Sequence, residues 1–229
     1  PLAVSLLKIR QLIKSYKAPE GVRHTVLEVP EFSLEAGQQL ALRGASGTGK
    51  TTFLNCIAGI LRPDAGDIEL AGQNIAIASE SQRDELRAQH IGYIFQTFNL
   101  LQGYTCLENV LLGMSFSGPA NTQQATALLK RVGLADRMDY RPGELSVGQQ
   151  QRVAVARALA NQPNLVLADE PTGNLDPQNA QEALQLIREV CRENTAALLL
   201  VSHDQGVLDQ FEDCHDLAEI NKAAKEVAK

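Results

Sequence analysis

One segment of the sequence carries the residue types that bind phosphate. Gly44-Ala45-Ser46-Gly47-Thr48-Gly49-Lys50-Thr51 matches the pattern GxxxxGK[ST] of a P-loop. Glycines in such a loop let successive backbone N–H groups face a phosphate, and the start of the following helix adds partial positive charge. We expect Lys50 to reach the β- and γ-phosphates and to act in catalysis. The Thr51 hydroxyl is expected to contact Mg²⁺, with Thr52 near the phosphates.

Two adjacent carboxylates could supply metal binding and general-base chemistry. Asp169 and Glu170 follow the apolar run at residues 165–168. Asp169, at a strand end, can present its carboxylate to Mg²⁺. Because side chains alternate along an extended chain, Glu170 is expected to point elsewhere, and we interpret it as the general base that activates water. An acidic turn before Pro171 is the simpler alternative.

The elements that must position these groups are short apolar runs. Strands are predicted at residues 39–42, 91–95, 165–168 and 196–201, and a helix at residues 51–60. Polar residues end three of these strands: Gln96, the Asp169-Glu170 pair and Ser202-His203. In open α/β sheets the ligand crevice lies beyond the carboxyl ends of the strands. These side chains are therefore expected to converge on one site.

The remaining segments predict two further parts. Between residues 97 and 161 the strand signal fades, and helical patterns at residues 121–132 and 146–160 predict an inserted helical sub-domain. Residues 6–12 and 25–34 alternate apolar and polar side chains, which predicts antiparallel strands beside the parallel core. The expected fold is α/β, with a mostly parallel sheet.

Composition excludes several classes of protein. The chain has 229 residues and a net charge of -6, which argues against a nucleic-acid partner because such partners need basic patches. No apolar run approaches the roughly 18 to 20 residues of a membrane span, and residues 1–4 begin no leader pattern. The four cysteines form no CxxC pair, so no zinc or redox site is indicated. A soluble, cytoplasmic protein is expected.

A third motif lies between the P-loop and the acidic pair. Ser146 and Gln149 of Leu145-Ser146-Val147-Gly148-Gln149 have the spacing of a capping box, which would begin a helix. In this order the three motifs resemble the nucleotide-binding subunit of ATP-binding cassette (ABC) transporters, over about residues 6–221. The resemblance implies one ABC ATPase domain over residues 1–229. Its P-loop NTPase (RecA-like) core with the antiparallel β part would span residues 1–96 and 162–221, and its helical sub-domain residues 97–161.

The resemblance assigns a cross-subunit role to the third motif. Ser146, Gly148 and Gln149 would close over ATP bound to a second copy of the chain, so a complete site would need a homodimer. The commonest form of the family motif has glycine where Val147 stands. Valine disfavours positive φ and adds bulk, which would oppose a close backbone approach there.

The resemblance also assigns roles to residues outside the three motifs. Gln96 would touch Mg²⁺ or water and link the helical sub-domain to the nucleotide. His203 would hydrogen-bond the γ-phosphate as a catalytic residue, although a lone histidine is more often structural. Tyr16 would stack on adenine, with a half-buried edge tyrosine as the rival interpretation. Asp176, in Asn174-Leu175-Asp176, would communicate across the dimer or cap a helix.

Several local strings resemble the lipoprotein-release, macrolide-export and cell-division ATPases, among them residues 92–101, 107–110 and 169–176. This subfamily implies ATP and Mg²⁺ as cofactors and a transmembrane permease-type partner. Residues 97–113 would lie nearest its coupling helix, with the chain peripheral on the inner face of the cell membrane. The expected function is export or extraction of a lipoprotein, lipid, peptide or drug. Signalling to cell-wall enzymes is the alternative, and a soluble ATPase acting on DNA or ribosomes is disfavoured.

Overall fold

The computed structural model describes residues 5–225, so the interpretation of residues 1–4 lies outside it. The described strands are β1 (Ser5–Lys17), β2 (Arg23–Glu35), β3 (Gln39–Arg43), β4 (Ala65–Leu70), β5 (Gln73–Asn74), β6 (Ile91–Ile94), β7 (Leu165–Asp169), β8 (Ala197–Ser202) and β9 (Asp213–Asp216). The α-helices are α1 (Lys50–Ile57), α2 (Glu80–His90), α3 (Cys106–Ser115), α4 (Thr122–Arg131), α5 (Val147–Ala158), α6 (Pro177–Glu193), α7 (Gln205–Leu208) and α8 (Leu217–Ile220). Short 3₁₀ turns lie at Ala135–Arg137, Pro142–Glu144 and Lys222–Lys225.

Two sheets divide the strands as the sequence predicts. The antiparallel sheet has the order β2-β1-β4-β5, and the second sheet has the order β6-β7-β8-β3-β9. Every strand pair in the second sheet is parallel. The order places β3, which leads into the P-loop, beside β8. The carboxyl ends of β3, β7 and β8 consequently meet at one edge.

The two central strands of the parallel sheet separate two hydrophobic clusters. Every residue of β7 and β8 is buried, as expected for strands covered on both faces. Alternate residues face opposite sides: Val166 and Leu198 belong to one cluster, whereas Leu167 and Leu199 belong to the other. The first cluster includes residues of α3 to α6, and the second includes α1 and the antiparallel sheet. The sheet is thus the common wall of both cores.

The segment at residues 97–161 is helical, as the sequence predicts. Its helices α3, α4 and α5 share one hydrophobic cluster with the parallel sheet. The exact division of the chain into a core and a sub-domain stays a prediction. Among residues 5–225, none of the helices combines the length and the apolar composition needed to cross a bilayer.

Candidate functional site

The P-loop connects β3 to α1 and has the backbone conformation that its glycines allow. Gly49 has φ 92°, in the left-handed region where a Cβ is strained, and it caps the start of α1. Lys50 is the first residue of that helix. The N–H groups at the start of α1 therefore lie beside the loop, where an anion is stabilised.

The loop forms one wall of a cavity of about 340 Å³. Gln96, Asp169, Glu170 and His203 line it together with most of the loop, which confirms the predicted convergence for these four residues, whereas Ser202, Gly44 and Thr48 do not line it. The lining residues are Val26, Ala45, Ser46, Gly47, Gly49, Lys50, Thr51, Thr52, Gln96, Asp169, Glu170 and His203. Val26 of β2 is a lining residue that the sequence reasoning missed, because an apolar residue in an alternating strand carries no signal for a site.

Three side chains converge on the carboxylate of Glu170. Lys50 Nζ lies 3.0 Å from Glu170 Oε1, and His203 Nδ1 lies 2.7 Å from the same oxygen. Ser202 donates its hydroxyl to Oε2 at 3.0 Å. The Lys50 and Glu170 side chains are only 10% and 8% exposed, whereas His203 is 64% exposed. Glu170 is thus a buried anion with three partners, one of which reaches the surface.

The backbone at Glu170 corrects one step of the sequence reasoning. Alternation along an extended strand was expected to turn its side chain away from Asp169. Glu170 instead has φ 46°, outside the extended region, and its N–H donates to Val201 O at 3.0 Å. The left-handed Glu170 follows the last residue of β7, so this turn, and not alternation along a strand, sets the direction of its side chain. Such strain in a residue with a side chain is typical of functional sites.

The two carboxylates have opposite pKa shifts. Burial raises the pKa of Asp169, and hydrogen bonding by Thr51 offsets only part of that increase. Burial also acts to raise the pKa of Glu170, but hydrogen bonds from His203 and Lys50 outweigh it and hold that pKa below its ordinary value. Glu170 is therefore ionised at neutral pH, and the positively charged side chain of Lys50 already contacts it.

The residues around Asp169 suit a hard cation that takes its remaining ligands from phosphate oxygens and water. Asp169, the Thr51 hydroxyl and the Gln96 amide share the cavity and are all oxygen donors. Residues 5–225 contain no group of three or more His, Cys, Asp or Glu side chains that could hold a metal alone. A cation here would need phosphate oxygens and water as further ligands, which is how Mg²⁺ binds in nucleotide sites.

The third motif lies at the start of α5 and does not line the cavity. Its predicted capping box is present: the Gln149 N–H donates to Ser146 Oγ at 3.3 Å, and the Ser146 N–H donates to Gln149 Oε1 at 3.0 Å. A Cβ at Gly148 would lie 3.0 Å from Asn179 Oδ1, so this glycine lets α5 approach α6. The role of this motif in a second copy's site stays a prediction.

Val147 occupies a backbone conformation that valine accepts. It is the first residue of α5 and is absent from the described residues with positive φ. The concern about positive φ is thereby removed. Its side chain is 46% exposed, so only its bulk distinguishes it from glycine.

The loop between β7 and α6 contacts Gln96. Asn174 Nδ2 donates to the Gln96 carbonyl at 2.7 Å. Asp176 caps α6 by accepting from the Asn179 N–H at 3.2 Å, which confirms the capping interpretation. The position of Gln96 is thus tied to the loop that follows Asp169 and Glu170.

Tyr16 lies on β1 of the antiparallel sheet. It pairs with His24 across β1 and β2, is 43% exposed, and has Lys14 Nζ 5.6 Å from its ring centroid. It does not line the cavity. Its predicted stacking on adenine stays a prediction.

A P-loop beside the carboxyl edge of a parallel sheet, with a buried glutamate facing its lysine, is the arrangement of a P-loop nucleotide hydrolase. Residues 27–173 match the sequence profile described as "ABC transporter". The chain therefore belongs to the ABC transporter family, and it is an ATP-binding cassette that hydrolyses ATP.

Similar proteins come from several bacteria. The chain is 42% identical over 212 residues to the "Lipoprotein-releasing system ATP-binding protein LolD" of Pseudomonas syringae pv. tomato, covering 91% of this chain and 92% of that protein. It is 43% identical over 187 residues to the "Macrolide export ATP-binding/permease protein MacB" of Rhodopirellula baltica, covering 80% of this chain and 27% of that protein.

Solved structures have the same fold. A dimeric, post-hydrolysis structure of the ATP-binding cassette MJ0796 bound to ADP and Pi has a TM-score of 0.84 at 31% identity, covering 95% of both chains. A second dimeric structure of that bacterial ABC transporter cassette has a TM-score of 0.83 at 32% identity, covering 92% of this chain and 94% of that one.

Proposed function

We propose that this chain dimerises on ATP and Mg²⁺ and powers a transmembrane partner that exports or extracts a lipoprotein, lipid, peptide or drug. The observation that carries the proposal is the likeness to the lipoprotein-releasing ATP-binding protein over 91% of the chain. The likeness to a macrolide export protein, whose name includes a permease, supports the same class of membrane partner. In that role the chain would sit peripherally on the inner face of the cell membrane.

The cavity suggests how hydrolysis proceeds. Lys50 leaves Glu170 and turns to the β- and γ-phosphates, with the P-loop N–H groups around them. Glu170 then orients the attacking water and accepts its proton, since the departure of Lys50 removes one of the hydrogen bonds that lower its pKa. His203 donates to an oxygen of the γ-phosphate. Asp169, Thr51 and Gln96 would hold Mg²⁺, which when bound neutralises charge developing on the phosphates.

A groove beside the Gln96 loop suits a segment of the membrane partner. It has a volume of about 440 Å³ and lies between α2, β6, α3 and α5. Phe116 and Leu101, which line it, are 72% and 42% exposed. Arg157 lies beneath and donates to the carbonyls of Phe98 and Asn99, two residues with positive φ. A helix pressed into this groove would move the strained loop that begins at Gln96.

The proposal is tested by recovering the partner. Tagged Glu170→Gln chain is expressed in its native host with ATP and purified in detergent, and the copurifying membrane proteins are identified. A partner with few spanning helices and a large outer domain supports the proposal, and the outer domain separates transport from signalling. A many-helix permease contradicts the subfamily, and the absence of any membrane partner contradicts the coupling role. Purified Glu170→Gln should also double its mass in light scattering with ATP and Mg²⁺.

The groove itself is tested with matched variants. Phe116→Asp should lose the membrane partner while keeping nucleotide affinity, because a charge at the groove opposes apolar contact. Ile77→Asp is the control, since Ile77 is 73% exposed but does not line the groove. Loss of the partner in both variants, or in neither, would show that the groove is not the docking site.

A further inference from the structure

Asn221 is a fully buried polar residue at the end of the chain that no nucleotide-binding motif includes. It caps the end of α8, where its backbone N–H donates to Leu217 O at 2.7 Å. Its side-chain amide makes four hydrogen bonds, all to backbone groups. Both donors and both lone pairs of the amide are thereby used.

The two ends of the amide face different parts of the chain. Oδ1 accepts from the N–H groups of Glu28 and Ala223 at 2.8 and 3.3 Å. Nδ2 donates to the carbonyls of Val26 in β2 and Thr48 in the P-loop at 2.9 and 3.2 Å. Rotating the amide by half a turn would place Nδ2 against the N–H groups of Glu28 and Ala223 and Oδ1 against two carbonyls. The orientation of the Asn221 amide is therefore fixed by its partners.

The hydrogen bond to Thr48 has a consequence across the peptide bond. In a planar trans peptide, the carbonyl of Thr48 and the N–H of Gly49 point in opposite directions. Gly49 lines the phosphate cavity. A donor that holds the Thr48 carbonyl toward Asn221 therefore holds the Gly49 N–H pointing in the opposite direction.

Asn221 also binds the part of β2 against which the P-loop packs. A Cβ at Gly49 would lie 3.1 Å from the Val26 carbonyl, so the loop packs directly against β2 at this point. That carbonyl is the second acceptor of Asn221 Nδ2. Val26 also lines the cavity. One amide thus joins the P-loop, β2 and the C-terminal segment.

We propose that Asn221 is a positioning residue for nucleotide binding, which orients the Gly49 N–H toward the phosphates from the far end of the chain. The proposal rests on nucleotide binding at the P-loop as proposed above. Asn221 touches no substrate atom and acts through the Thr48–Gly49 peptide. Preorganised N–H donors are effective anion ligands because they need no reorganisation when the anion binds.

The test replaces the donor and keeps the shape. Asn221→Asp retains an acceptor for the Glu28 N–H but places a carboxylate oxygen against the carbonyls of Val26 and Thr48. Repulsion should turn the Thr48–Gly49 peptide, and we expect the Kd for ADP with Mg²⁺ to rise about tenfold by calorimetry.

Asn109→Asp is the matched control. Asn109 is also fully buried, accepts from the Leu101 N–H at 2.9 Å, and donates to backbone carbonyls such as Thr105 O at 3.0 Å. It lines neither the phosphate cavity nor the groove. Both variants should lower the melting temperature, but only Asn221→Asp should weaken ADP binding. Equal ADP affinity in Asn221→Asp and wild type, within about twofold, would overturn the proposal.

Two further results keep the test decisive. A wild-type chain that does not bind ADP would contradict the proposed function rather than the role of Asn221. If Asn221→Asp does not fold, NMR of the wild type replaces it. The side-chain N–H signals of Asn221 should shift on addition of ADP while those of Asn109 stay unchanged, and an unshifted Asn221 would overturn the proposal.

Discussion

Replacing Glu170 by glutamine should strengthen ADP binding, because the carboxylate competes with phosphates for Lys50. Lys50 Nζ lies 3.0 Å from Glu170 Oε1, so the lysine must exchange this partner for a phosphate. Glutamine keeps the size of the side chain and removes its charge. Lys50 then meets the phosphates without first leaving an anion.

The structure sets the size of the effect. Two unit charges 3.0 Å apart attract by about 5.5 kcal/mol at an effective dielectric constant of about 20. Water screens this pair little, since its side chains are only 10% and 8% exposed. When Lys50 leaves, it gains the phosphate charge, and Glu170 keeps its hydrogen bonds to Ser202 and His203, so most of that attraction is offset. We expect a net gain of about 1.4 kcal/mol, which is a tenfold lower Kd.

Calorimetric titration with ADP and Mg²⁺ measures this effect without turnover. Ser202→Ala is the control, because it removes the hydrogen bond to Oε2 but leaves the charge of Glu170 facing Lys50. Its Kd should stay within about twofold of the wild type, since the charge that Lys50 must leave is unchanged. An unchanged or weaker ADP affinity in Glu170→Gln would refute the competition between carboxylate and phosphate.

Three other outcomes concern Lys50, Val147 and Glu170. Lys50→Ala should abolish tight ADP binding, because Lys50 is the only lysine or arginine among the described residues that line the cavity; wild-type affinity by calorimetry would contradict this. Val147→Gly should leave or raise the ATPase rate in a phosphate-release assay, because Val147 has no positive φ and glycine only removes bulk; a large loss would make valine part of the site geometry. The folded-state pKa of Glu170 lies below its ordinary value of 4.5, so its contribution to stability is present above about pH 4.5 and is lost as the pH falls through the lower folded value. Thermal melts from pH 6 to 3 should therefore show less acid sensitivity in Glu170→Gln, and identical pH profiles would contradict the depressed pKa.

The sequence predicts the centre of the parallel sheet well because β7 and β8 are buried on both faces. A run such as Leu165–Asp169 is apolar almost throughout, and its position follows from that composition. Helix α2 was not predicted, since Leu86 is its only buried residue and no apolar stripe marks it. Its clearest local signal is the capping box formed by Ser79 and Gln82.

Strand β9, in contrast, could not be predicted from the sequence. Three of its four residues are exposed and none is strongly apolar, so no pattern predicts a strand at Asp213–Asp216. It forms because β3 offers an edge, with Leu40 opposite Asp213. The left-handed turn at Glu170 is equally hidden, because glutamate rarely adopts positive φ and only tertiary hydrogen bonds hold it there.

The P-loop shows how far a motif determines its own conformation. Its glycines permit the backbone that a phosphate needs, and Gly49 uses that freedom at φ 92°. The conformational freedom of glycine does not by itself select one orientation of each peptide, because glycine populates both signs of φ. At the Thr48–Gly49 peptide the selecting contact comes from Asn221, 173 positions further along the chain. An isolated asparagine after a short helix belongs to no periodic pattern and to no motif. The sequence therefore predicts which N–H groups bind phosphate, but it does not predict which residue orients them.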